Sequence, residues 1–360
     1  MTKSATVTPE TVLQALRTLR DPNLHEDIVS LDLVKDLAVQ DGRVSFTIEF
    51  TTQPPLVKAE LHSQARKLVS QLPGVSDVQV RMGTGARAQP AAPHSPKAEL
   101  IPEVKHTIAV SSGKGGVGKS TVAVNLALGL RAAGNSVGLV DVDVYGPDIP
   151  LMMGARGRPG MFENRIIPVE SHGIKLISIG FFVPEGEAVV WRGPMIHSAV
   201  QQFLKDVTWG ALDYLVFDMP PGTGDAQLSL SQVIPLSGAL VVTTPQDVAL
   251  LDVRKAIAMF RKMNVPLLGV VENMSHFVCP HCGGKTAIFG EGGGRRLSEE
   301  MKLPLLGEIP LDPEVRRSGD EGVPIVIGKP DSAQAEAFRQ LASAVAARVG
   351  ALSVALPTIS

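Results

Sequence analysis

The sequence predicts an α/β fold, a mainly parallel sheet flanked by helices, preceded by a small α+β domain. Three observations predict it. Continuous apolar runs alternate with helical patterns through the C-terminal two-thirds of the chain. A glycine-rich loop joins the first of these runs directly to a helix. A stretch rich in proline and alanine then separates this part from an N-terminal segment of different pattern.

The N-terminal segment, residues 1–85, reads helix, two strands, helix, strand. Val12, Leu13, Leu16 and Leu19 fall at helical spacing, with Pro9 at the start and Asp21-Pro22 at the end. Strands at 34–39 and 44–50 flank Asp41-Gly42, a hairpin turn. A second helix follows Pro55 and carries Leu56, Leu61, Ala65 and Leu68; Pro73-Gly74 then turns into a strand at 75–80. The linker is placed at 86–103, where Pro90, Pro93, Pro96 and Pro102 stand among alanines and leave nothing to build a core. The larger domain is 104–350, with a tail at 351–360. Its strands are expected at 107–111, 136–141, 174–178, 214–217, 238–243 and 267–271. Most are unbroken apolar runs, as strands covered on both faces require.

Composition excludes several classes of function. Of 360 residues, 34 are Lys or Arg and 36 Asp or Glu, a net charge of −2, which is no dominant nucleic-acid or polybasic membrane surface. With 44% hydrophobic residues the chain buries a large core, and with 4% aromatic it builds that core from aliphatic side chains. No apolar run reaches the roughly 18 residues of a membrane span, and the N-terminus carries no export pattern. The expectation is a cytoplasmic protein with no membrane partner and no nucleic acid. Only Cys279 and Cys282 are present, so a disulfide scaffold is excluded and metal or redox chemistry is left.

The run at 107–111 leads into Gly113-Lys114-Gly115-Gly116-Val117-Gly118-Lys119-Ser120-Thr121 and then a helix at 122–133. This is G-x-x-x-x-G-K-S in its strand–loop–helix setting, a phosphate-binding loop. The glycines let backbone N–H groups turn inward on phosphate, and the helix N-terminus adds favourable partial charge. Lys119 is placed to reach the outer phosphates of ATP, and the Ser120 hydroxyl to ligate Mg²⁺. The additional lysine, Lys114, makes the loop resemble the deviant Walker A ATPases, the group of MinD and the nitrogenase iron protein. That resemblance implies a homodimer sandwiching ATP, with Lys114 acting on the facing subunit's nucleotide.

Asp141 and Asp143 fall at the end of the 136–141 strand, the edge at which open α/β sheets bind ligands. Asp141 is assigned to the Mg²⁺ environment, and the resemblance makes Asp143 the residue that orients the attacking water. Asp218 ends the 214–217 strand and reads as the Mg²⁺-holding Walker B carboxylate. Pro220-Pro221-Gly222-Thr223-Gly224-Asp225 follows as a segment suited to moving with the γ-phosphate. Asn273, in Glu272-Asn273-Met274-Ser275 after the 267–271 strand, is at the position where related ATPases hold adenine; a turn-forming asparagine is the rival reading. Thr243-Thr244-Pro245-Gln246 is a second candidate lining of that pocket.

Cys279-Pro280-His281-Cys282-Gly283-Gly284 has the C-x-x-C spacing of a metal knuckle. An iron–sulfur cubane or a structural zinc wants four ligands, and one chain supplies two. A two-fold dimer supplies four. A cluster, a shared zinc and a redox dithiol all use this spacing; the cluster is preferred, because open knuckles on a moving dimer suit transfer.

Taken together, the phosphate loop, Asp141-Val142-Asp143-Val144-Tyr145-Gly146-Pro147-Asp148, Trp191-Arg192-Gly193-Pro194-Met195, Asp218-Met219-Pro220-Pro221-Gly222-Thr223-Gly224-Asp225 and the C-x-x-C resemble the Mrp/ApbC iron–sulfur cluster carriers. The first 80 or so residues resemble the small cluster-assembly domain often fused to them, through Asp21-Pro22 and the 28–34 stretch. The resemblance implies a slow ATPase that binds a [4Fe–4S] cluster, receives it from a donor and delivers it to apo-proteins. One departure stands out: the turn at 51–56 is Thr-Thr-Gln-Pro-Pro-Leu and has no thiol where such domains often carry a cysteine. The N-terminal domain is therefore read as a docking module. Two rival readings are a MinD/ParA-like positioning ATPase, for which the C-terminal tail lacks basic residues, and a zinc-bridged scaffold dimer.

Overall fold

The computed structural model describes residues 7–20, 26–50, 55–84, 100–183 and 193–355. Asp21-Pro22, the turn at 51–54, the linker as far as residue 99 and Trp191-Arg192 lie outside the described residues. The chain forms two compact units, a smaller one built mainly from the N-terminal residues and a larger one from most of the rest.

In the N-terminal unit, α1 (Pro9–Leu16) starts where Thr8 and Thr11 cap each other and proline takes the first turn. Strands β1 (Val34–Gln40) and β2 (Arg43–Phe50) form the expected antiparallel hairpin. Asp41 and Gly42 both take positive φ, 48° and 78°, the twist that a two-residue hairpin turn needs. Helix α2 (Pro55–Ser70) leads to β3 (Asp77–Thr84), which lies parallel to β2. Alternate residues of β2, Val44, Phe46, Ile48 and Phe50, are buried together with Val12, Leu16, Ile28, Leu61 and Val69.

The larger unit opens with β4 (Val104–Ser112), α3 (Lys119–Ala132), β5 (Val137–Asp141) and the single turn α4 (Ile149–Met152). Three short strands follow, β6 (Gly160–Phe162), β7 (Arg165–Ile167) and β8 (Val169–Ser171), and then β9 (Ile174–Ser178). The chain continues through α5 (Gly193–Lys205), β10 (Leu212–Asp218), α6 (Asp225–Val233), β11 (Gly238–Thr243) and α7 (Asp247–Lys262). It closes with β12 (Leu267–Val278), β13 (Lys285–Thr286), α8 (Gly293–Met301), β14 (Leu305–Leu311), α9 (Pro313–Asp320), α10 (Ile325–Gly328) and α11 (Ala333–Ala355).

The main sheet runs β13-β12-β11-β4-β10-β5-β9-β8, with β14 also paired to β12. Pairings from β14 through β12, β11, β4, β10 and β5 to β9 are all parallel; β8 and β13 are antiparallel additions. β4 thus lies centrally, with β11 and β10 on either side, and its C-terminal end is where loops from both neighbours converge. Helix α3 packs beneath that end with Val122 to Leu130 wholly buried. This is the predicted fold class.

Several predicted boundaries move: the strand expected at 75–80 is β3 at 77–84, the strand expected at 107–111 starts at Val104, and the first helix ends at Leu16, short of Asp21-Pro22. β12 does not end at 271 but continues to Val278, so Asn273 is a strand residue and not a loop residue. The extension is held by β14, through Asn273 opposite Ile309 and Phe277 opposite Leu311. The polar run Glu272 to His276 hid it, because the usual apolar signal is missing. Helix α11 runs on to Ala355, past the boundary placed at 350, since an alanine-rich helix tolerates the single Gly350. Among the described residues no helix is long and apolar enough to cross a membrane.

Candidate nucleotide site and cysteine knuckle

The phosphate loop leaves β4 at Ser112 and enters α3 at Lys119. Two of its glycines are required by contact. A Cβ on Gly113 would fall 2.3 Å from the backbone of Asp252 and Val253, so the loop starts flush against α7. Gly118 has φ +78°, and its Cβ would meet the Asn273 amide nitrogen at 2.2 Å. No side chain caps the N-terminus of α3, which leaves its first N–H groups to a ligand. Ser112 Oγ donates to the Lys114 carbonyl at 3.0 Å, and the Gly222 amide donates to the Ser112 carbonyl at 3.0 Å.

Lys119 is buried among carboxylates. Its Nζ is 2.6 Å from Asp218 Oδ1, 3.3 Å from Asp143 Oδ2 and 3.2 Å from Ser120 Oγ. Ser120 Oγ donates to the other Asp218 oxygen at 2.6 Å. Burial works against the ammonium, but Asp218 and Asp143 outweigh it and hold Lys119 above the ordinary lysine range. Asp218 is fully buried, and that burial pushes its carboxyl up although Lys119 and Ser120 oppose it. Asp141 is pushed up further, by burial and then by the nearby Asp218 charge. Ser178, at the end of β9, donates to Asp141 Oδ2 at 2.7 Å, and the Asp143 amide donates to Asp141 Oδ1 at 3.1 Å. Asp141 therefore fixes the turn that carries Asp143.

Asn273 touches the same loop from β12. Its Nδ2 donates to the Val117 carbonyl at 2.9 Å. It also lines a cleft of about 400 Å³ with Thr121, Met274, Pro310, Leu311 and Val315. The cleft is walled by apolar side chains and edged by polar ones, the make-up of a small-molecule site. Of the second candidate lining, Thr243 and Thr244 are buried, and Pro245 packs against Gly293 at the start of α8. None of them lines the cleft.

β12 ends at Val278, and the cysteines follow. Phe277 pairs with Thr286 and Val278 with Lys285, so β12 and β13 form a hairpin whose tip is the C-x-x-C. The Cys279 amide donates to the Gly284 carbonyl at 3.0 Å, and the Gly283 amide returns to the Cys279 carbonyl at 2.9 Å. Gly283 takes φ +71°, closing the knuckle. Cys279 is part-exposed and Cys282 exposed. The backbone N–H groups of His281 and Cys282, and then the Cys282 thiol, lie near the Cys279 sulfur and favour its thiolate, which lowers its pKa below the ordinary thiol value. No cluster of three or more metal-ligating side chains occurs among the described residues. The knuckle offers two thiols, and Ser120 with Asp218 offers one hydroxyl and one carboxylate. The latter set fits Mg²⁺, which keeps waters and substrate phosphates as its other ligands.

A family profile described as NUBPL iron-transfer P-loop NTPase matches residues 103–346. The chain belongs to that family. A second profile, iron–sulfur cluster assembly protein, matches residues 9–82. An iron–sulfur cluster carrier protein of Deinococcus radiodurans is 49% identical over 344 residues, which is 94% of this chain and 95% of that one. The iron–sulfur cluster transfer protein NUBPL of Mus musculus is 53% identical over 257 residues, 71% of this chain and 81% of that one. Among solved structures, a nucleotide-binding protein of Archaeoglobus fulgidus in complex with ADP superposes with a TM-score of 0.59 at 38% identity, covering 67% of this chain and 95% of that one. The cell division ATPase MinD of Pyrococcus furiosus superposes with a TM-score of 0.52 at 26% identity, covering 67% of this chain and 98% of that one.

The fold brings Lys119, Ser120, Asp143, Asp218 and Asn273 to one place, with Asp141 directly behind. Lys114 forms no ion pair among the described residues and is half-buried beside exposed Gly115 and Gly116. Sequence reading missed Ser178, Gln227 and the cleft wall from β14 and α9. Asp312-Pro313 is a helix-start signal that marks α9, and Asp312 does cap it. Nothing in the local sequence marks Ser178 or Gln227.

Proposed function

We propose that the protein is an ATP-hydrolysing carrier that works as a homodimer. Two copies of Cys279 and Cys282 together take up a [4Fe–4S] cluster from a donor and release it to apo-proteins. In this reading the Gly113–Thr121 loop cradles the phosphates of ATP, and the cleft beside Asn273 takes adenine. Lys119 neutralises charge on the outer phosphates, and Ser120 and Asp218 hold Mg²⁺. Asp143, its turn fixed by Asp141, orients the attacking water, and Lys114 reaches the partner's nucleotide. Magnesium supplies charge neutralisation on the phosphates.

One observation carries the coupling of the two activities. β12 is bonded to the phosphate loop through Asn273 and leads, about 20 Å further on at the strand rise of ~3.3 Å per residue, to Cys279. A change in the loop on nucleotide binding thus bears on the strand that carries the cluster ligands. Two ligands per chain require a second copy, and the exposed knuckle leaves room for one.

The test is cluster transfer to an apo-ferredoxin, followed by circular dichroism, with the wild type and Lys119→Ala, each with and without Mg-ATP. Acceleration by ATP in the wild type alone supports the reading. Equal rates in all four arms contradict the coupling.

A further inference from the structure

Three hydrogen bonds strap the segment after Asp218 to the end of β4. The Met219 amide donates to the Val110 carbonyl at 3.0 Å, and the Gly222 amide to the Ser112 carbonyl at 3.0 Å. The third is made by a side chain: Gln227 Nε2 bonds to Ser111 Oγ. Both residues are buried, Gln227 at 1% exposure and Ser111 at 0%.

Gln227 is in the first turn of α6, the helix that the Pro220–Gly224 stretch leads into. Gly224 gives that helix no side-chain cap. Its N-terminus is held instead from inside by the Gln227 amide. Ser111 immediately precedes Ser112 and Gly113, where the phosphate loop begins. The amide therefore joins the two segments that must keep register around a terminal phosphate: the loop that cradles it and the stretch that follows the Asp218 carboxylate.

The bond comes at a cost in stability. Gln227 Oε1 is buried with no partner among the described residues. Ser111 Oγ can donate or accept, so turning the amide over would leave the nitrogen unpaired instead. Either way one end of the amide is buried without a bond, which an apolar side chain of similar size would avoid. Leucine would remove that unpaired end and leave the buried Ser111 hydroxyl without this bond in exchange, so a residue that served packing alone would be about as stable as leucine.

We propose that Gln227 is a positioning residue for ATP hydrolysis, setting the Asp218–Asp225 segment against the phosphate loop through Ser111. The proposal rests on the reading of this loop as an ATP-hydrolysing site. Gln227 forms no hydrogen bond to Lys119 or Ser120 among the described residues, so its expected effect is on turnover and not on nucleotide affinity.

The test compares full-length wild type, Gln227→Leu, Ser111→Ala and the double variant. Each is assayed for steady-state ATP hydrolysis with Mg²⁺, for ADP affinity by calorimetry and for thermal unfolding. Gln227→Leu is expected to lower kcat at least ten-fold, to keep ADP affinity within two-fold and to unfold at the same or a higher temperature. Ser111→Ala, which keeps the packing, is expected to lower kcat in the same direction, with the double variant no slower than the slower single one. Wild-type turnover by Gln227→Leu overturns the proposal and leaves the ATPase reading standing. A fall in kcat, affinity and unfolding temperature together makes Gln227 a packing residue and also overturns it. A wild type that binds ADP and does not hydrolyse ATP overturns the ATPase reading, and the proposal with it.

Discussion

Lys119→Ala should destabilise the larger domain in a way that depends on pH. The ammonium is the cation bonded within a group of three buried carboxylates, 2.6 Å from Asp218 and 3.3 Å from Asp143, with Asp141 behind. Taking one partner out of a buried ion pair costs about 3–5 kcal/mol, because the remaining charge has nothing to offset it. The carboxylates can escape this cost by taking up protons. Burial already pushes Asp218 and Asp141 up, and loss of Lys119 raises both further. The folded variant then binds more protons than the unfolded chain, so its stability rises as pH falls. If the folded variant holds one carboxylate proton that the folded wild type does not between pH 8 and pH 5.5, the penalty shrinks over that window by up to about 3 kcal/mol, at ~1.4 kcal/mol per pH unit. Urea unfolding of wild type and variant at both pH values, with EDTA present, measures this directly. The expected difference is about 3–5 kcal/mol at pH 8 and no more than about 2 kcal/mol at pH 5.5. Adding Asp218→Asn to the variant should recover much of the loss at pH 8. A variant as stable as wild type at pH 8, or a loss that does not change with pH, would refute the argument that Lys119 neutralises this cluster.

Gly118→Ala should weaken ADP binding at least ten-fold by calorimetry. The left-handed backbone costs about 1–2 kcal/mol for alanine, and the new methyl collides with the Asn273 amide, which in turn holds the Val117 carbonyl. At the knuckle, N–H and S–H donors favour the Cys279 thiolate, so that thiol should deprotonate at lower pH than an ordinary cysteine. Thiolate absorbance of the metal-free protein should begin to rise below the pH of an ordinary cysteine, and Cys282→Ala should move that rise to higher pH by removing one donor. An unmoved rise would show that the thiol contact contributes nothing.

The strands that an unbroken apolar run announces were legible as sequence, β9 and β11 to the residue. So was the phosphate loop, because its spacing is set by one ligand's geometry. The extension of β12 was not. Glu272, Asn273 and Ser275 are polar because their partners are polar: Glu272 accepts from the Gly294 amide, Asn273 donates to the phosphate loop, and Ser275 donates to the Ile309 carbonyl. A strand whose side chains serve bonds and not burial carries no alternation to read. Ser178 and Gln227 were hidden for a related reason. Each acts through a contact tens of residues distant in sequence, with Asp141 and Ser111, and a serine or glutamine has no local pattern that marks such a contact. The C-x-x-C was legible as a tight turn, and the structure places it at the tip of the β12–β13 hairpin, closed by the Cys279–Gly284 and Gly283–Cys279 backbone bonds.

The most direct test of the central claim is anaerobic purification with iron, sulfide, zinc and mass determination on the same sample, after cluster reconstitution. About four irons and four sulfides per two chains, a species with the mass of a dimer, and loss of both in the Cys279→Ala/Cys282→Ala variant are expected. A dimer holding about one zinc per two chains and taking up no iron would contradict the claim, as would a double-cysteine variant that keeps its full complement of iron and sulfide.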